Sequence, residues 1–208
     1  MARGPFYTLL LAVVALIGLG TWLTLADKSD QPVKLVASTG KALIGGPFTL
    51  VDQTGATVTD QSYRGKYLLI YFGYTFCPDV CPTELGLMSQ ALDALGDKAK
   101  QIQPLFITID PERDTPQVLA DYLANFRPGF VGLTGSTEQI RAVAKAYRVY
   151  YAKAPAGPGD EAPTEGSKDY LMNHLSLIFL MGPDGAYLKH FPPTETADSM
   201  ARKIADLM

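Results

Sequence analysis

The sequence predicts an α/β domain with a central mixed sheet and helices on both faces, preceded by one membrane-spanning helix. Three observations carry this. Short, continuously apolar runs of strand length alternate with helix-spaced segments, which is the pattern of strands covered on both faces. The alternation closes with a hairpin and a last helix, so the sheet is mixed rather than wholly parallel. Finally, 23 residues from Gly4 to Ala26 carry no charge. As a helix they would span about 35 Å, against roughly 30 Å of bilayer hydrocarbon.

The elements follow in order. Gly4–Ala26 is longer than the apolar region of a cleaved signal peptide, about 15 residues, and Thr24-Leu25-Ala26 is a poor cleavage site, so residues 1–26 are expected to remain as an anchor. No Cys follows the run, so a lipid-modified N-terminus is not expected. Arg3 and the terminal amine precede it and Asp27, Lys28 and Asp30 follow, which places the N-terminus in the cytoplasm and the domain outside. Met1–Arg3 leaves no room for an Arg-rich presequence, which favours a bacterial inner membrane with the domain in the periplasm. Residues 27–46 are small and polar and read as a tether of at most roughly 65 Å, with the folded domain over 47–208.

Within that domain, Phe48–Asp52 and Ala56–Asp60 flank Gln53-Thr54-Gly55 as a hairpin. Tyr67–Gly73 (YLLIYFG) and Pro104–Asp110 (PLFITID) read as buried strands, with a helix over Thr83–Leu95 between them. Thr115–Phe126 and Thr137–Tyr147 read as helices around a short strand at Phe130–Leu133. Leu175–Met181 and Tyr187–Phe191 form a hairpin about Gly182-Pro183-Asp184-Gly185, and Thr196–Met208 is the closing helix. Lys153–Asp169 is too rich in Pro, Gly and Ala for regular structure and reads as a functional excursion ending just before His174.

Composition narrows the chemistry. The 208 residues carry 18 Lys+Arg against 21 Asp+Glu, with no basic block, which sets nucleic-acid binding aside. Two cysteines rule out a four-cysteine zinc site or a four-thiolate cluster within one chain and leave one dithiol, Cys77 and Cys81. The pair sits between a strand and a helix with Pro82 in its first turn, and on a helix this spacing puts both sulfurs on one face. Helix N-terminal N–H groups favour thiolates, so the dithiol is expected to be reactive; a structural staple closing so short a loop would gain little. Two soft thiolates need one further donor to complete a trigonal Cu(I) site. His174, placed just before the strand that faces the loop–helix junction, is the candidate, and His190, late in the final hairpin, is an ordinary surface histidine.

Several other residues admit two readings. Asp79 could tune the metal's charge or cap the helix; Asp110 could join the metal's surroundings or cap the turn after its strand. Met88 belongs to the core stripe with Leu85 and Leu92, whereas Met172 is either a transient entry ligand or an ordinary loop methionine.

At YFGYTFCPDVCPTEL (71–85), ITIDPERDTP (107–116), VGLTG (131–135), AYRVYY (146–151) and the His174 segment leading into FLMGPDG, the sequence resembles the Sco/SenC family. These are membrane-anchored thioredoxin-like copper chaperones of cytochrome c oxidase assembly. The resemblance implies a thioredoxin-like fold and one copper ion, as Cu(I) and also as Cu(II), on Cys77, Cys81 and His174. It implies delivery to the binuclear centre of oxidase subunit II, an upstream copper donor, and a thioredoxin-like reductant that resets the dithiol. One departure is that Leu175, rather than a small or β-branched polar residue, follows His174. The competing expectation is a membrane-tethered thiol–disulfide oxidoreductase acting through the same redox pair. Cys81-Pro82-Thr83-Glu84 looks like a peroxiredoxin segment, but Pro78 and Tyr74 stand where that pattern needs Thr or Ser and Pro. A thioredoxin-type reductase would place two residues between its cysteines and a cis-proline where Asn173-His174 stands.

Overall fold

Tyr67–Gly73 is a strand with the bounds its apolar run predicts, and six of its seven residues are buried. It is β3 of the computed structural model, which describes residues 43–155, 157, 166 and 168–208. The other strands are β1 (Thr49–Asp52), β2 (Thr57–Thr59), β4 (Ile102–Thr108), β5 (Val131–Thr134), β6 (Tyr151–Ala154), β7 (Leu171–His174), β8 (Ile178–Met181) and β9 (Tyr187–Phe191). Helices α1 (Val80–Ala94), α2 (Pro116–Leu123), α3 (Thr137–Ala146) and α4 (Ala197–Ala205) alternate with them, and short 3₁₀ turns cover Asp60–Tyr63 and Gly96–Gln101.

Seven strands form one sheet in the order β2-β1-β5-β4-β3-β8-β9. The central pairs β3–β4 and β4–β5 are parallel, while β1–β2, β1–β5, β3–β8 and β8–β9 are antiparallel. The mixed sheet is therefore as expected. Because β3 and β4 bury consecutive residues, both of their faces are covered. α1 packs against α4, and α2 lies against β5. Phe72, Phe106, Phe179 and Phe191 are fully enclosed in this core, each worth about 2–3 kcal/mol of apolar burial. The β8–β9 turn closes as its sequence requires: Gly185 takes a positive φ of 76° and donates its N–H to the Gly182 carbonyl.

Helix starts follow their caps. The Thr115 side chain accepts from Val118 N–H, Ser136 and Gln139 form a capping box, and Thr196 accepts from Ser199 N–H. α1 differs, because Asp79 occupies its N-cap position without a side-chain cap bond.

Three expectations are corrected. His174 does not enter the central sheet: it ends β7, which pairs with β6 in a separate two-stranded ribbon, and residues 175–177 are not strand. The excursion at 153–169 is not wholly irregular, since Lys153 and Ala154 pair with Met172 and Leu171; residues 156, 158–165 and 167 of it lie outside the described residues. Helix α1 starts at Val80, so Cys81 is in its first turn while Cys77 precedes it, and the two sulfurs do not share a helical face. The Gly4–Ala26 segment lies outside the described residues, among which no helix is long and apolar enough to cross a membrane. At the domain's start, Gly45 donates to the Ala146 carbonyl and Arg148 to that of Leu43.

Candidate metal and redox site

β3 delivers the chain into the cysteine loop, and α1 begins within it. The Cys77 sulfur accepts the Cys81 N–H at 3.4 Å, taking the free helix N-terminal donor that Asp79 leaves unmet. Cys81 is fully buried and Cys77 half-buried, and both are free thiols. Room for the Cys81 sulfur comes from Gly73: a Cβ there would lie 2.9 Å from that sulfur and 2.8 Å from the Phe106 ring.

The ribbon brings in the histidine. His174 Nε2 stands 3.6 Å from Cys81 Sγ, and Nδ1 is 3.2 Å from the Leu175 carbonyl oxygen. A carbonyl only accepts, so we assign the ring hydrogen to Nδ1, which leaves the Nε2 lone pair facing the sulfur. The imidazole is held edge-on to Tyr71 and Tyr74, with ring centroids 6.1 Å away in each case. Beside it lies a cleft of about 280 Å³ lined by Tyr74, Cys77, Asp79, Met172, His174 and Ser176. Among the described residues no three His, Cys, Asp or Glu side chains already stand as a closed metal shell. Cys81 is the residue the other two share, with its N–H on the Cys77 sulfur and its own sulfur against His174 Nε2.

The two thiols differ electrostatically. The Cys81 thiol hydrogen-bonds to the Cys77 sulfur, and the His174 side chain and the N–H groups of Cys81 and Asp79 add to this against the cost of burial; Cys77 is held well below the ordinary thiol range. Cys81 is pushed up because it holds the shared proton and because it is buried. The pair is thus a half-exposed thiolate backed by a buried thiol.

Of the residues with two readings, Asp79 lines the cleft but makes no side-chain cap. The Asp110 carboxylate pairs with Arg113 and accepts from the Tyr170 hydroxyl at 2.7 Å. Met88 is fully buried in the core. Met172 is a buried strand residue, not a loop one, on the same face of β7 as His174. His190 is exposed on β9, where its Nδ1 meets the Tyr187 hydroxyl at 2.6 Å.

Sequence reasoning missed Tyr71, whose buried hydroxyl lies 3.8 Å from Cys81 Sγ and 3.1 Å from Ser176 Oγ. A continuous apolar run gives no sign of which face a tyrosine hydroxyl meets. It also missed Gly73, whose place as the last residue of a strand and four residues before a Cys was the available signal. The site's rim is apolar: Phe76 is 66% exposed, and Val80 and Leu175 are also exposed, each adjacent in sequence to one of the three donors.

Fold and site together define a thioredoxin-like protein carrying a CxxxC dithiol with an imidazole against its buried sulfur. The chain matches the SCO1/SenC family model over residues 36–208 and belongs to that family. It is 46% identical over 171 residues to the human mitochondrial SCO1 homolog, covering 81% of this chain and 54% of the human protein. The chain thus spans about half the length of that relative. Among solved structures, Bradyrhizobium japonicum ScoI with copper bound superposes with a TM-score of 0.69 at 44% identity, covering 79% of this chain and 99% of that one. Yeast Sco1 with copper bound gives a TM-score of 0.69 at 38% identity, over 78% and 87% of the two chains.

Proposed function

We propose that this chain is a copper carrier that binds one copper ion through Cys77, Cys81 and His174 and hands it to the binuclear copper centre of cytochrome c oxidase subunit II. The observation that carries the reading is the contact of His174 Nε2 with the Cys81 sulfur, with the Cys77 sulfur at the same helix N-terminus. The donor chemistry fits Cu(I), because two thiolates and one imidazole make a soft trigonal set. Copper-bound relatives with this fold support the choice of metal. A trigonal site leaves room for an incoming ligand, so an acceptor's sulfur or imidazole can join the copper before this chain's donors leave. Cys77, the half-exposed donor, faces the cleft through which that ligand would come, and the apolar rim of Phe76, Val80 and Leu175 is the surface an acceptor would meet.

Residues 1–26 anchor the chain in a bacterial inner membrane, the polar segment after them tethers it, and the domain, whose hydrogen bonds begin at Leu43 and Gly45, works in the periplasm. Copper arrives from an upstream donor. Because an oxidised pair offers no thiolate, a thioredoxin-like reductant maintains Cys77 and Cys81. N-terminal sequencing of the membrane-extracted protein tests the anchor; a mature chain beginning near Asp27 would refute it. Titration of the reduced full-length chain with Cu(I) against a competing chelator tests the carrier, with one tightly held equivalent expected.

A second reading, thiol–disulfide exchange with a partner's cysteines, is favoured by the unequal thiols: an accessible Cys77 thiolate is poised to attack and buried Cys81 to resolve. A pure reductase would lose activity with either cysteine yet hold no stoichiometric copper.

A further inference from the structure

The loop Asp110–Asp114 supplies no donor, yet both halves of the site hang on it. Asp114 is fully buried and accepts the Thr75 N–H at 3.1 Å, the Thr75 hydroxyl at 2.6 Å and the Thr108 hydroxyl at 2.6 Å. Thr75 lies two residues before Cys77, so Asp114 ties the dithiol loop to the end of β4. Arg113 reaches the other way. Its Nη1 donates to the Lys168 carbonyl at 3.1 Å and the Tyr170 carbonyl at 2.9 Å, and its Nε pairs with Asp110, which also accepts the Tyr170 hydroxyl. The guanidinium lies over the Tyr170 ring at 3.8 Å and near Phe76 at 4.8 Å. Tyr170 leads directly into β7, whose last residue is His174.

Only 8% of the Arg113 side chain is exposed, and its Nη2 is buried without a hydrogen-bond partner. A buried cation with an unmet donor is costly, so stability alone does not account for an arginine here. A planar fork offers what an apolar or flexible side chain would not: a fixed distance between the 110–114 loop and the chain entering β7. The Met172 backbone adds a second, lighter tie to the Tyr74 hydroxyl.

We propose that Arg113 is a positioning residue for His174. It holds the β6–β7 ribbon against the loop that Asp114 fixes to the dithiol, and so sets the imidazole at the sulfurs. This rests on Cys77, Cys81 and His174 being the copper ligands.

The test is a double-mutant cycle on the reduced full-length chain, reading Cu(I) affinity by chelator competition and the Cu(II) electron paramagnetic resonance spectrum. Arg113→Gln is expected to weaken Cu(I) about tenfold to hundredfold, the usual effect of losing an orienting partner, and to diminish imidazole nitrogen coupling to Cu(II). In a His174→Ala background the same substitution should change affinity less than about twofold, by the same principle, since the residue it positions is gone. An equal loss in both backgrounds, or unchanged affinity with full nitrogen coupling, would overturn the proposal. Tyr170→Phe removes only the hydroxyl that meets Asp110 and guards against misfolding of Arg113→Gln. A smaller loss, again absent with His174→Ala, is expected, and one that persists there overturns the proposal. If His174→Ala alone leaves copper affinity unchanged, the ligand reading fails. If His174→Ala weakens copper and Arg113→Gln does not, the ligands stand and the positioning role falls.

Discussion

Alkylation of the reduced, metal-free chain should single out Cys77, and its rate should hardly depend on pH between 6 and 8. An ordinary thiol with a pKa near 8.5 is roughly 25% thiolate at pH 8 and about 0.3% at pH 6, so its alkylation slows nearly a hundredfold. Cys77 is held well below that range, first by the Cys81 thiol, then by the His174 side chain and by N–H groups of the helix start. It is already thiolate across the window, and its rate should change by less than about twofold. Its intrinsic nucleophilicity falls with its pKa, with a Brønsted slope of about 0.4–0.5, so the gain over a free thiol at pH 6 is smaller than the gain in thiolate fraction. Cys81 is fully buried, with its pKa pushed up, and should stay unlabelled while Cys77 takes one equivalent. Iodoacetamide pulses at several pH values, quenched and mapped by mass spectrometry, read both residues at once. Cys81→Ala removes the largest cause of the Cys77 shift and should restore part of the pH dependence. Faster labelling of Cys81, or a Cys77 rate that falls tenfold per pH unit, would refute the unequal-thiol description.

Three other outcomes are expected. Gly73→Ala places a Cβ against Cys81 Sγ and Phe106; it should destabilise by about 1–3 kcal/mol and weaken Cu(I) binding, whereas volume-conserving Met88→Leu should cost under about 1.5 kcal/mol and leave copper affinity unchanged, as denaturant melts and chelator competition will show. Asp114→Ala strands three donors from Thr75 and Thr108 and should cost about 3–5 kcal/mol in the same melts, while Asp114→Asn keeps an acceptor and should cost about 1 kcal/mol. Burial raises the Glu84 carboxyl above its ordinary value of 4.5, so the folded state binds its proton more tightly than the unfolded one. That contribution is fully present below the unfolded value and is lost as pH rises through the folded one. Glu84→Gln should therefore flatten the fall of unfolding free energy with pH above 4.5, measured by urea titration.

The sequence shows most of this framework because the signals are local. Tyr67–Gly73 is apolar at every position but its last, and such a run has few options besides a strand covered on both faces. The dithiol is equally plain, standing between a strand and a helix with Pro82 in the first turn. The β6–β7 ribbon is not, because its two four-residue arms are joined across a Pro- and Gly-rich stretch without the short turn that signals a hairpin. The sequence therefore reads His174 as standing just before a strand over 175–181, whereas it is the last residue of β7. The start of α1 was equally hidden: Asp79 looks like a cap, but the Cys77 sulfur takes the donor instead. Tyr71, Gly73 and the Asp110–Arg113–Tyr170 network act through contacts across 10 to 60 residues of chain or through an absent side chain, which periodicity does not encode.

The central claim, one copper on Cys77, Cys81 and His174, is tested most directly by Cu(I) uptake of the full-length chain in five forms. These are the reduced chain, its disulfide form, and the reduced Cys77→Ser, Cys81→Ser and His174→Ala variants, with thiol counts in parallel. One tightly held equivalent is expected in the reduced chain, none in the disulfide form until a dithiol reductant is added, and a substoichiometric or weakened fraction in each variant. Full uptake by the disulfide form, or unchanged stoichiometry and affinity in any of the three variants, would contradict the assignment.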